Sequence, residues 1–216
     1  MNYCLIPAKG ISKRVPKKNI KKFNGSPIIY YPIETAMRSN CFESIDVYTN
    51  SKEVIDTLSP YIHHKIINIC YEKTNLLESR TLSDVAYEYL TGNNLTFGRL
   101  SILFPTSVFI TAPQIKEMIR LSNNGVTTVA MKKISKKALN CFIEGKRVFS
   151  KYKNFISQEL PTPYIDTGQF YVIDIKKFLE EKVILNDKIN IYPLESSIDI
   201  DEPLDWKQAE ELYCDS

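Results

Sequence analysis

The sequence predicts an α/β protein built as a three-layer, doubly wound, mostly parallel sheet with helices on both faces. Three observations lead to this prediction. Short apolar runs typical of buried strands alternate with amphipathic, helix-like stretches as far as about residue 131. The chain has 216 residues, 44% of them hydrophobic, which suits one compact domain with a substantial core. No internal repeat or low-complexity linker divides it.

The predicted elements follow in a regular order over this first part. The first helix places Ile29, Ile33, Ala36 and Met37 on one face. Thr111 is predicted to be an N-cap, with Pro113 in the first helical turn. Strands are expected at 3–8, 45–49, 66–70, 100–104 and 126–131, and helices at 28–39, 52–58, 82–90 and 111–121.

The pattern changes after Met131. Residues 142–149 are typical of a hairpin, and the stretch to Pro163 is basic and aromatic. We expect residues 132–165, approximately, to form a small β-containing insertion that packs against a partner subunit or caps the site, within a single domain of residues 1–216. Beyond it the sequence predicts a strand at 168–173, a helix at 175–181, a strand ending at Ile200 and a final helix at 204–212.

Composition excludes several classes of protein. The net charge of +3 does not favour nucleic acid or a membrane surface as a partner. Five scattered cysteines without a CxxC pair suit a reducing compartment and argue against a disulfide framework or a zinc site. The N-terminus does not resemble a signal peptide, and no run approaches the roughly 20 apolar residues of a membrane span. We therefore expect a cytoplasmic protein.

The first chemical signal is the loop after the first strand. Seven of the fourteen residues from 9 to 22 are lysine or arginine. In an open α/β sheet, ligands bind at the carboxyl ends of the strands, where this loop lies. Side-chain cations there suit a triphosphate and a departing pyrophosphate. The loop has no Walker A pattern, and a solvated basic loop or a nucleic-acid patch remains an alternative.

The second signal is the sequence Asp199-Ile200-Asp201 near the C-terminus. On a strand, both carboxylates share one face at a spacing of about 7 Å, which suits Mg²⁺ and phosphate oxygens. The alternative is an acidic start to the last helix, because Glu202, Pro203 and Asp205 suit a first turn.

Together these signals resemble the acylneuraminate cytidylyltransferase family, which contains the CMP-sialic acid synthetases and their pseudaminic acid relatives. The family opening, Pro-Ala-Arg-x-x-Ser-Lys followed by Lys-Asn, is matched at residues 7–13 and 18–19. Its late Asp-x-Asp is matched at residues 199–201. Residues 168–171 resemble the Gly-Gln-Phe-Tyr of the pseudaminic acid branch, and residues 104–106 resemble a family Pro-Thr segment.

The resemblance implies a nucleotide-diphospho-sugar transferase-like fold and a transfer of CMP from CTP to a nine-carbon 2-keto acid sugar, with Mg²⁺ and in a homodimer. It implies catalytic roles for Lys18, Asp199 and Asp201, with the two aspartates as metal ligands. The residues it implies at the nucleotide are Ala8, Lys9, Ser12, Lys13, Asn19 and Thr81. Those it implies at the sugar are Gln169 and Tyr171.

The chain departs from the family pattern at several positions. Lys9 stands in place of arginine, Asn50 of aspartate, Tyr71-Glu72 of Arg-Pro, Glu78 of aspartate and Ser107-Val108 of Ala-Pro. These departures leave open a changed base or sugar preference, or a weakly active or inactive nucleotide-binding paralogue. A metal-dependent glycosyltransferase is a further alternative, although its DxD motif normally lies mid-chain. An RNA-binding module rests on the basic loop alone.

Overall fold

The computed structural model describes residues 1–72, 80–122, 125–156 and 158–214. The strands are β1 Asn2–Pro7, β2 Lys22–Phe23, β3 Ser26–Pro27, β4 Ser44–Thr49, β5 Ile67–Tyr71, β6 Arg99–Leu103, β7 Thr128–Lys133, β8 Phe142–Ile143, β9 Lys146–Arg147, β10 Tyr164–Asp174 and β11 Asn190–Leu194. The α-helices are α1 Tyr30–Ser39, α2 Lys52–Thr57, α3 Leu82–Gly92, α4 Ala112–Leu121, α5 Ile175–Glu181 and α6 Pro203–Cys214.

The central sheet confirms the predicted fold class. Its seven strands lie in the order β11-β7-β10-β6-β1-β4-β5. Strand β1 is parallel to β4 and β6, β4 is parallel to β5, and β7 is parallel to β11. Strand β10 runs antiparallel to both β6 and β7, so its first residues lie beside their carboxyl ends. The edge where parallel strands end is where ligands bind in sheets of this type.

Two apolar clusters cover the two faces of the sheet and make the protein three-layered. Strand β1 alternates between them, because Cys4 and Ile6 belong to the cluster under α1 and α4, whereas Leu5 belongs to the cluster under α3 and α5. A third cluster packs α6 against the β2–β3 hairpin, and Trp206 is 3% exposed there. Trp206 is therefore a core residue of this cluster.

Most predicted elements are confirmed with shifted ends. Thr111 is the N-cap of α4, as predicted, and its N–H donates to Oε1 of Gln114 at 2.8 Å. The segment between β7 and β10 contains the predicted hairpin, formed by β8 and β9. Strand β7 begins two residues later than predicted, and β10 begins four residues earlier. No helix in the described part of the chain is long and apolar enough to cross a membrane.

One prediction about the site was wrong. The strand expected to end at Ile200 is β11, and it ends at Leu194. Strand β11 lies at the edge of the sheet, and its last paired residue, Leu194, lies opposite Lys132 of β7. Residues 195–200 contain no strand, so Asp199 and Asp201 do not owe their positions to strand alternation.

Candidate functional site

Two cavities meet at the carboxyl edge of the sheet. One has a volume of about 370 Å³ and the other of about 330 Å³, and they share Lys9, Lys18 and Asp201. The first is otherwise lined by residues of the basic loop, Ile11, Ser12, Lys13 and Arg14. The second is otherwise lined by Pro7, Asn19, Arg80, Leu82, Val85, Phe104, Pro105, Thr106, Gly168 and Asp199. The predicted basic loop and the predicted acidic pair therefore lie together.

Lys18 joins the basic loop to the acidic segment. Its ammonium group donates to the carbonyl oxygen of Ile200 at 2.6 Å and to Oδ1 of Asp201 at 3.0 Å. The Lys18 side chain is 18% exposed and that of Asp201 is 40% exposed, so this contact is partly shielded from bulk water. Arg14 pairs with the other carboxylate oxygen of Asp201 at 2.7 Å. The carboxylate of Asp201 is thus fixed between two cations.

The two aspartates differ in their electrostatic surroundings. Burial alone raises the pKa of Asp201, but hydrogen bonds and positive charge from Lys18 and Arg14 outweigh it and hold that pKa below its ordinary value. Burial, followed by the negative charge of Asp201, raises the pKa of Asp199, and Lys18 offsets this only in part. No described residue forms a hydrogen bond or an ion pair with the carboxylate of Asp199. Its negative charge is under-compensated by the protein.

The segment that carries the aspartates is held by the start of β10. Nε2 of Gln169 donates to the carbonyl oxygen of Ile198 at 3.1 Å. Gly168, with a φ of +58°, lies against Asp199 so closely that a Cβ there would be 3.3 Å from its Oδ2. Gln169 is fully buried, and its Oε1 has no hydrogen-bond partner among the described residues. Gln169 thus supports the acidic segment and is not among the residues that line either cavity, and the sugar contact implied by the family resemblance stays a prediction.

Asp166 and Tyr171 stabilise the same turn. Oδ1 of Asp166 accepts from the backbone N–H of Gly168 at 3.0 Å, and its Oδ2 accepts from the hydroxyl of Tyr171 at 2.6 Å. Burial, then the hydrogen bond and charge of Asp166, raise the pKa of Tyr171 far above its ordinary value, so the phenol remains a donor. Tyr171 is 4% exposed and, like Gln169, does not lie on the described wall of either cavity.

The predicted nucleotide residues divide into two groups. Lys9, Ser12, Lys13 and Asn19 line the cavities, and Nδ2 of Asn19 also donates to the carbonyl oxygen of Lys9 at 2.9 Å. Ala8 is buried, and its N–H continues the pairing of β1 with β4. The hydroxyl of Thr81 caps α3. Its neighbours in sequence, Arg80 and Leu82, both line the 330 Å³ cavity.

The residues that depart from the family pattern lie in different parts of the structure. Asn50 accepts from the N–H of Gly10 at 2.8 Å and so holds the basic loop. Tyr71 is 44% exposed and lies with Gly10 and Asn50 in a separate cleft. Ser107 is buried, and its hydroxyl donates to the backbone carbonyl oxygen of Gln169 at 2.5 Å. Glu78 lies outside the described residues.

Sequence reasoning missed two cations at the site. Arg14 was counted in the basic loop but was given no role, although it pairs with Asp201 and with Glu202. Arg80 lines the 330 Å³ cavity and pairs with Glu88 of α3. The sequence marks Arg80 only by its place immediately before the N-cap of α3, which brings it to the carboxyl edge of the sheet.

The acidic pair fits a magnesium ion. No group of three or more histidine, cysteine or acidic side chains able to hold a metal occurs in the described ranges. Magnesium, however, usually takes one or two protein carboxylates and completes its shell with water and phosphate oxygens. The under-compensated carboxylate of Asp199, beside that of Asp201 at a basic cavity, is the donor set this binding mode requires.

Comparison with known proteins gives one family. A sequence model described as "Cytidylyltransferase" matches residues 3–166, which is most of the chain. A pseudaminic acid cytidylyltransferase of Campylobacter jejuni is 27% identical, over 98% of this chain and 96% of the relative. A CMP-N,N'-diacetyllegionaminic acid synthase of Legionella pneumophila is 27% identical, over 96% and 94%.

A solved structure supports the fold. The structure of a CMP:2-keto-3-deoxy-manno-octonic acid synthetase complexed with CTP superposes with a TM-score of 0.73 at 12% identity. It covers 99% of this chain and 98% of its own. At this identity the likeness concerns the fold alone.

Proposed function

This chain belongs to the cytidylyltransferase family, and we propose that it joins CMP from CTP to a nine-carbon 2-keto acid sugar of the pseudaminic or sialic acid type, releasing pyrophosphate. The anomeric oxygen bonds to the α-phosphorus, and the bond from that phosphorus to pyrophosphate breaks. The observation that carries the proposal is the pair of cavities meeting at Lys9, Lys18 and Asp201. The two relatives named above, which match nearly the whole chain, support the substrate class.

The cavities divide the substrates by charge. Four cations line the 370 Å³ cavity, which suits the β- and γ-phosphates. The 330 Å³ cavity has an apolar side formed by Leu82, Val85, Phe104 and Pro105, which suits the cytidine of CTP and the carbon skeleton of the sugar. The α-phosphate then lies at the residues that both cavities share.

Lys18 and Arg14 stabilise the charge that develops on pyrophosphate as it leaves. Their side chains are already oriented by Asp201, so little reorganisation accompanies the reaction. Lys18 also holds the carbonyl oxygen of Ile200 and so keeps the acidic segment beside the basic loop. In this arrangement Asn19 fixes the backbone of Lys9 at the junction of the cavities.

Asp199 and Asp201 are the residues we propose to hold Mg²⁺. The ion, when bound, supplies positive charge to the phosphate oxygens. The chain contributes two hard oxygen donors, of which Asp199 has no competing partner among the described residues. Addition of EDTA is expected to abolish activity, and Mg²⁺ or Mn²⁺ in excess is expected to restore it.

The test is pyrophosphate release from CTP with Mg²⁺ across a panel of nine-carbon keto-acid sugars. Sugar-dependent release is expected from the native protein. An Asp201→Asn variant removes the negative charge of one proposed metal ligand and of the ion pair with Lys18, and a loss of at least about 100-fold in kcat/KM is expected. Glu211→Gln, on the exposed side of α6, is the control and should retain full activity.

Protein that binds CTP but releases no pyrophosphate with any sugar contradicts the proposal. That result favours an inactive nucleotide-binding paralogue, which the substitutions at residues 9, 50 and 71 already suggest as the alternative.

We also propose that the protein is a homodimer in which the insertion of one protomer contacts the body of the other. The described residues of the insertion expose seven large apolar side chains, Phe142, Ile143, Val148, Phe149, Phe155, Ile156 and Ile165. A set of this size favours a protein partner. Residues 132–165 also carry eight basic and two acidic side chains, so two insertions facing each other would repel.

The cytoplasm is the compartment we propose for this reaction. The cysteines of the described residues, Cys4, Cys41, Cys70, Cys141 and Cys214, are all free thiols. Exposed thiols persist in a reducing compartment.

A further inference from the structure

Both oxygens of the Asp201 carboxylate are occupied by basic side chains. The ammonium group of Lys18 donates to Oδ1 at 3.0 Å, and Nη2 of Arg14 donates to Oδ2 at 2.7 Å. Asp199, the other proposed metal ligand, has no hydrogen-bond or ion-pair partner among the described residues. Of the two carboxylates, it is therefore Asp201 at which an incoming metal ion meets positive charge on both oxygens.

The two basic partners of Asp201 are held differently. Lys18 is 18% exposed, and its ammonium group also donates to the carbonyl oxygen of Ile200 at 2.6 Å. Arg14 lies within residues 8–17, which contain no helix or strand, and its side chain is 55% exposed. An exposed ion pair contributes little free energy. Arg14 is thus the partner that can leave Asp201 with the smaller loss of free energy.

Glu202 gives Arg14 a second partner at the same place. Nη1 of Arg14 donates to Oε1 of Glu202 at 3.2 Å. The carboxylate of Asp205 accepts from the backbone N–H groups of Asp201 and Glu202 at 3.0 and 2.7 Å, so the acidic segment is fixed at the start of α6. The guanidinium group can therefore leave Asp201 while Glu202 keeps it beside the site.

A stronger partner for Arg14 enters the same cavity when CTP binds. Arg14 lines the 370 Å³ cavity, to which we assign the β- and γ-phosphates. A guanidinium group binds phosphate oxygens through two parallel hydrogen bonds, and such charge-assisted bonds are stronger than neutral ones. A triphosphate also carries more negative charge than the single carboxylate of Asp201. Bound CTP therefore competes with Asp201 for Arg14.

We propose that Arg14 exchanges between Asp201 and the triphosphate and so couples metal binding to nucleotide binding. In the free protein, Arg14 occupies Asp201 and weakens its binding to a metal ion. When CTP binds, Arg14 moves to the phosphates and Oδ2 of Asp201 becomes available. The inference rests on the proposed function and adds that nucleotide and metal ion favour each other's binding, because such coupling is reciprocal. The exchange accompanies binding, so Arg14 is in place before the chemical step.

The experiment measures the affinity for each ligand without the other. Binding of Mn²⁺ to the nucleotide-free protein is measured by electron paramagnetic resonance, and binding of CTP in EDTA by isothermal titration. Arg14→Gln should tighten Mn²⁺ binding by about three- to tenfold, because a competing positive charge beside Asp201 is removed. The same variant should weaken CTP binding by about tenfold, because a charged hydrogen-bond donor is lost.

Opposite shifts in the two affinities distinguish exchange from simpler roles of Arg14. A residue that only stabilises the fold would weaken the binding of both ligands when replaced. A residue that only binds phosphate would weaken CTP binding and leave Mn²⁺ binding unchanged. Either of these two results overturns the inference.

Lys13→Gln is the matched control. Lys13 lines the same cavity, and no ion pair joins it to a carboxylate in the part of the chain that the structure describes. Its replacement should weaken CTP binding but change Mn²⁺ affinity by less than about twofold, since exposed charges at a distance are screened. An equal gain of Mn²⁺ affinity in Lys13→Gln would show a general effect of the basic loop and would overturn the inference.

A double variant identifies the carboxylate. Adding Asp201→Asn to Arg14→Gln should abolish the gain in Mn²⁺ affinity, because that gain is proposed to arise at Asp201. A gain that persists in the double variant places the competition elsewhere and overturns the exchange.

Neither affinity measurement needs a sugar or turnover. If no sugar reacts, the proposed transfer reaction fails, while opposite shifts in Arg14→Gln still support the exchange. If the native protein releases pyrophosphate but Arg14→Gln does not bind Mn²⁺ more tightly, the inference is overturned and the proposed function stands. A native protein that binds no CTP overturns both.

Discussion

At the scale of single residues, Gln169 is a buried polar side chain that supports the segment carrying the aspartates. Its side-chain amide donates to Ile198, just before the first aspartate. The backbone carbonyl oxygen of Gln169 accepts from the N–H of Phe104 and from the hydroxyl of Ser107. One residue of β10 thus connects the acidic segment with the loop that follows β6. Ser107, which departs from the family pattern, takes part in this connection.

Gln169→Met tests this supporting role. Methionine keeps the length and nearly the volume of glutamine but removes the donor, so the Ile198 carbonyl loses its partner. We expect a loss of about 1–3 kcal/mol of stability by denaturant unfolding, and a fall in kcat with little change in the KM of the sugar. A raised sugar KM with unchanged kcat would instead place Gln169 at the sugar, as the sequence predicted.

Gly168→Ala tests the contact with Asp199. A Cβ at this position meets the Asp199 carboxylate at 3.3–3.5 Å, and the φ of +58° adds backbone strain. Gly145→Ala is the matched control, because its φ of +75° imposes comparable strain with nothing within 4 Å. Both variants should lose stability, but only Gly168→Ala should weaken binding of Mn²⁺ measured by electron paramagnetic resonance with CTP present. Equal Mn²⁺ affinity in the two variants contradicts a role for Gly168 at the aspartates.

At the scale of elements, the sequence predicts the alternating strands and helices. It does not predict the strand orientations and strand ends that depend on tertiary contacts. The segment that became β1 has an apolar run, residues 4–6, buried on both faces, so its pattern is sufficient. The segments that became β4 and β6 have buried apolar residues at alternate positions, such as Ile45 and Val47 in β4. The orientation of β10 follows from its pairing with two distant strands, which no local pattern encodes. The end of β11 follows from its edge position and from the contacts of residues 198–201 with Gln169 and Lys18.

The candidate site divides in the same way. Lys18, Asp199 and Asp201 are recognisable from motif residues, and the fold brings them together. Arg80 belongs to no motif, and its location depends on where α3 begins relative to the sheet edge. Asp166 supports the site by accepting hydrogen bonds from Gly168 and Tyr171. The sequence does not reveal these contacts, because they depend on how the chain turns at Gly168.

The capping box of α3 gives a prediction at this scale. Hydrogen bonds from the side chain and backbone of Thr81 lower the pKa of Asp84. Because the folded-state pKa is depressed, Asp84 stabilises the fold above its unfolded-state pKa, and this contribution is lost as pH falls through the folded value. The difference in Tm between the native protein and Asp84→Ala should therefore be present near pH 7 and shrink below about pH 4. A difference that is constant with pH contradicts this assignment.

Thr81 itself can be tested as a cap. Thr81→Ala should cost about 1 kcal/mol of stability, whereas Thr81→Ser keeps the capping hydroxyl and should cost less. Calorimetry measures both. If Thr81→Ala lowers CTP affinity without lowering stability, its hydroxyl contacts the nucleotide instead of the helix.

At the scale of the whole molecule, charge is distributed unevenly although the net charge is small. The chain has 28 basic and 25 acidic residues. The loop at 9–22 and the insertion at 132–165 together hold 15 of the basic and two of the acidic ones, which leaves 13 basic and 23 acidic residues elsewhere. The proposed binding of the CTP phosphates accounts for the basic loop. The basic, apolar insertion is complementary to the acidic remainder of a second copy.

Substitution at the tip of the insertion tests the dimer. Ile143 is 65% exposed beside the β8–β9 turn, and Ile143→Glu places a charge in the proposed contact. Phe97→Glu is the control, since Phe97 is 61% exposed outside the insertion. By sedimentation velocity, the native protein and the control should form dimers, which weaken as salt is raised because unlike charges face each other. Ile143→Glu should shift towards monomer at the same concentration. A monomeric native protein, or an Ile143→Glu variant that dimerises as strongly as the control, would show that the exposed apolar side chains of the insertion serve another partner.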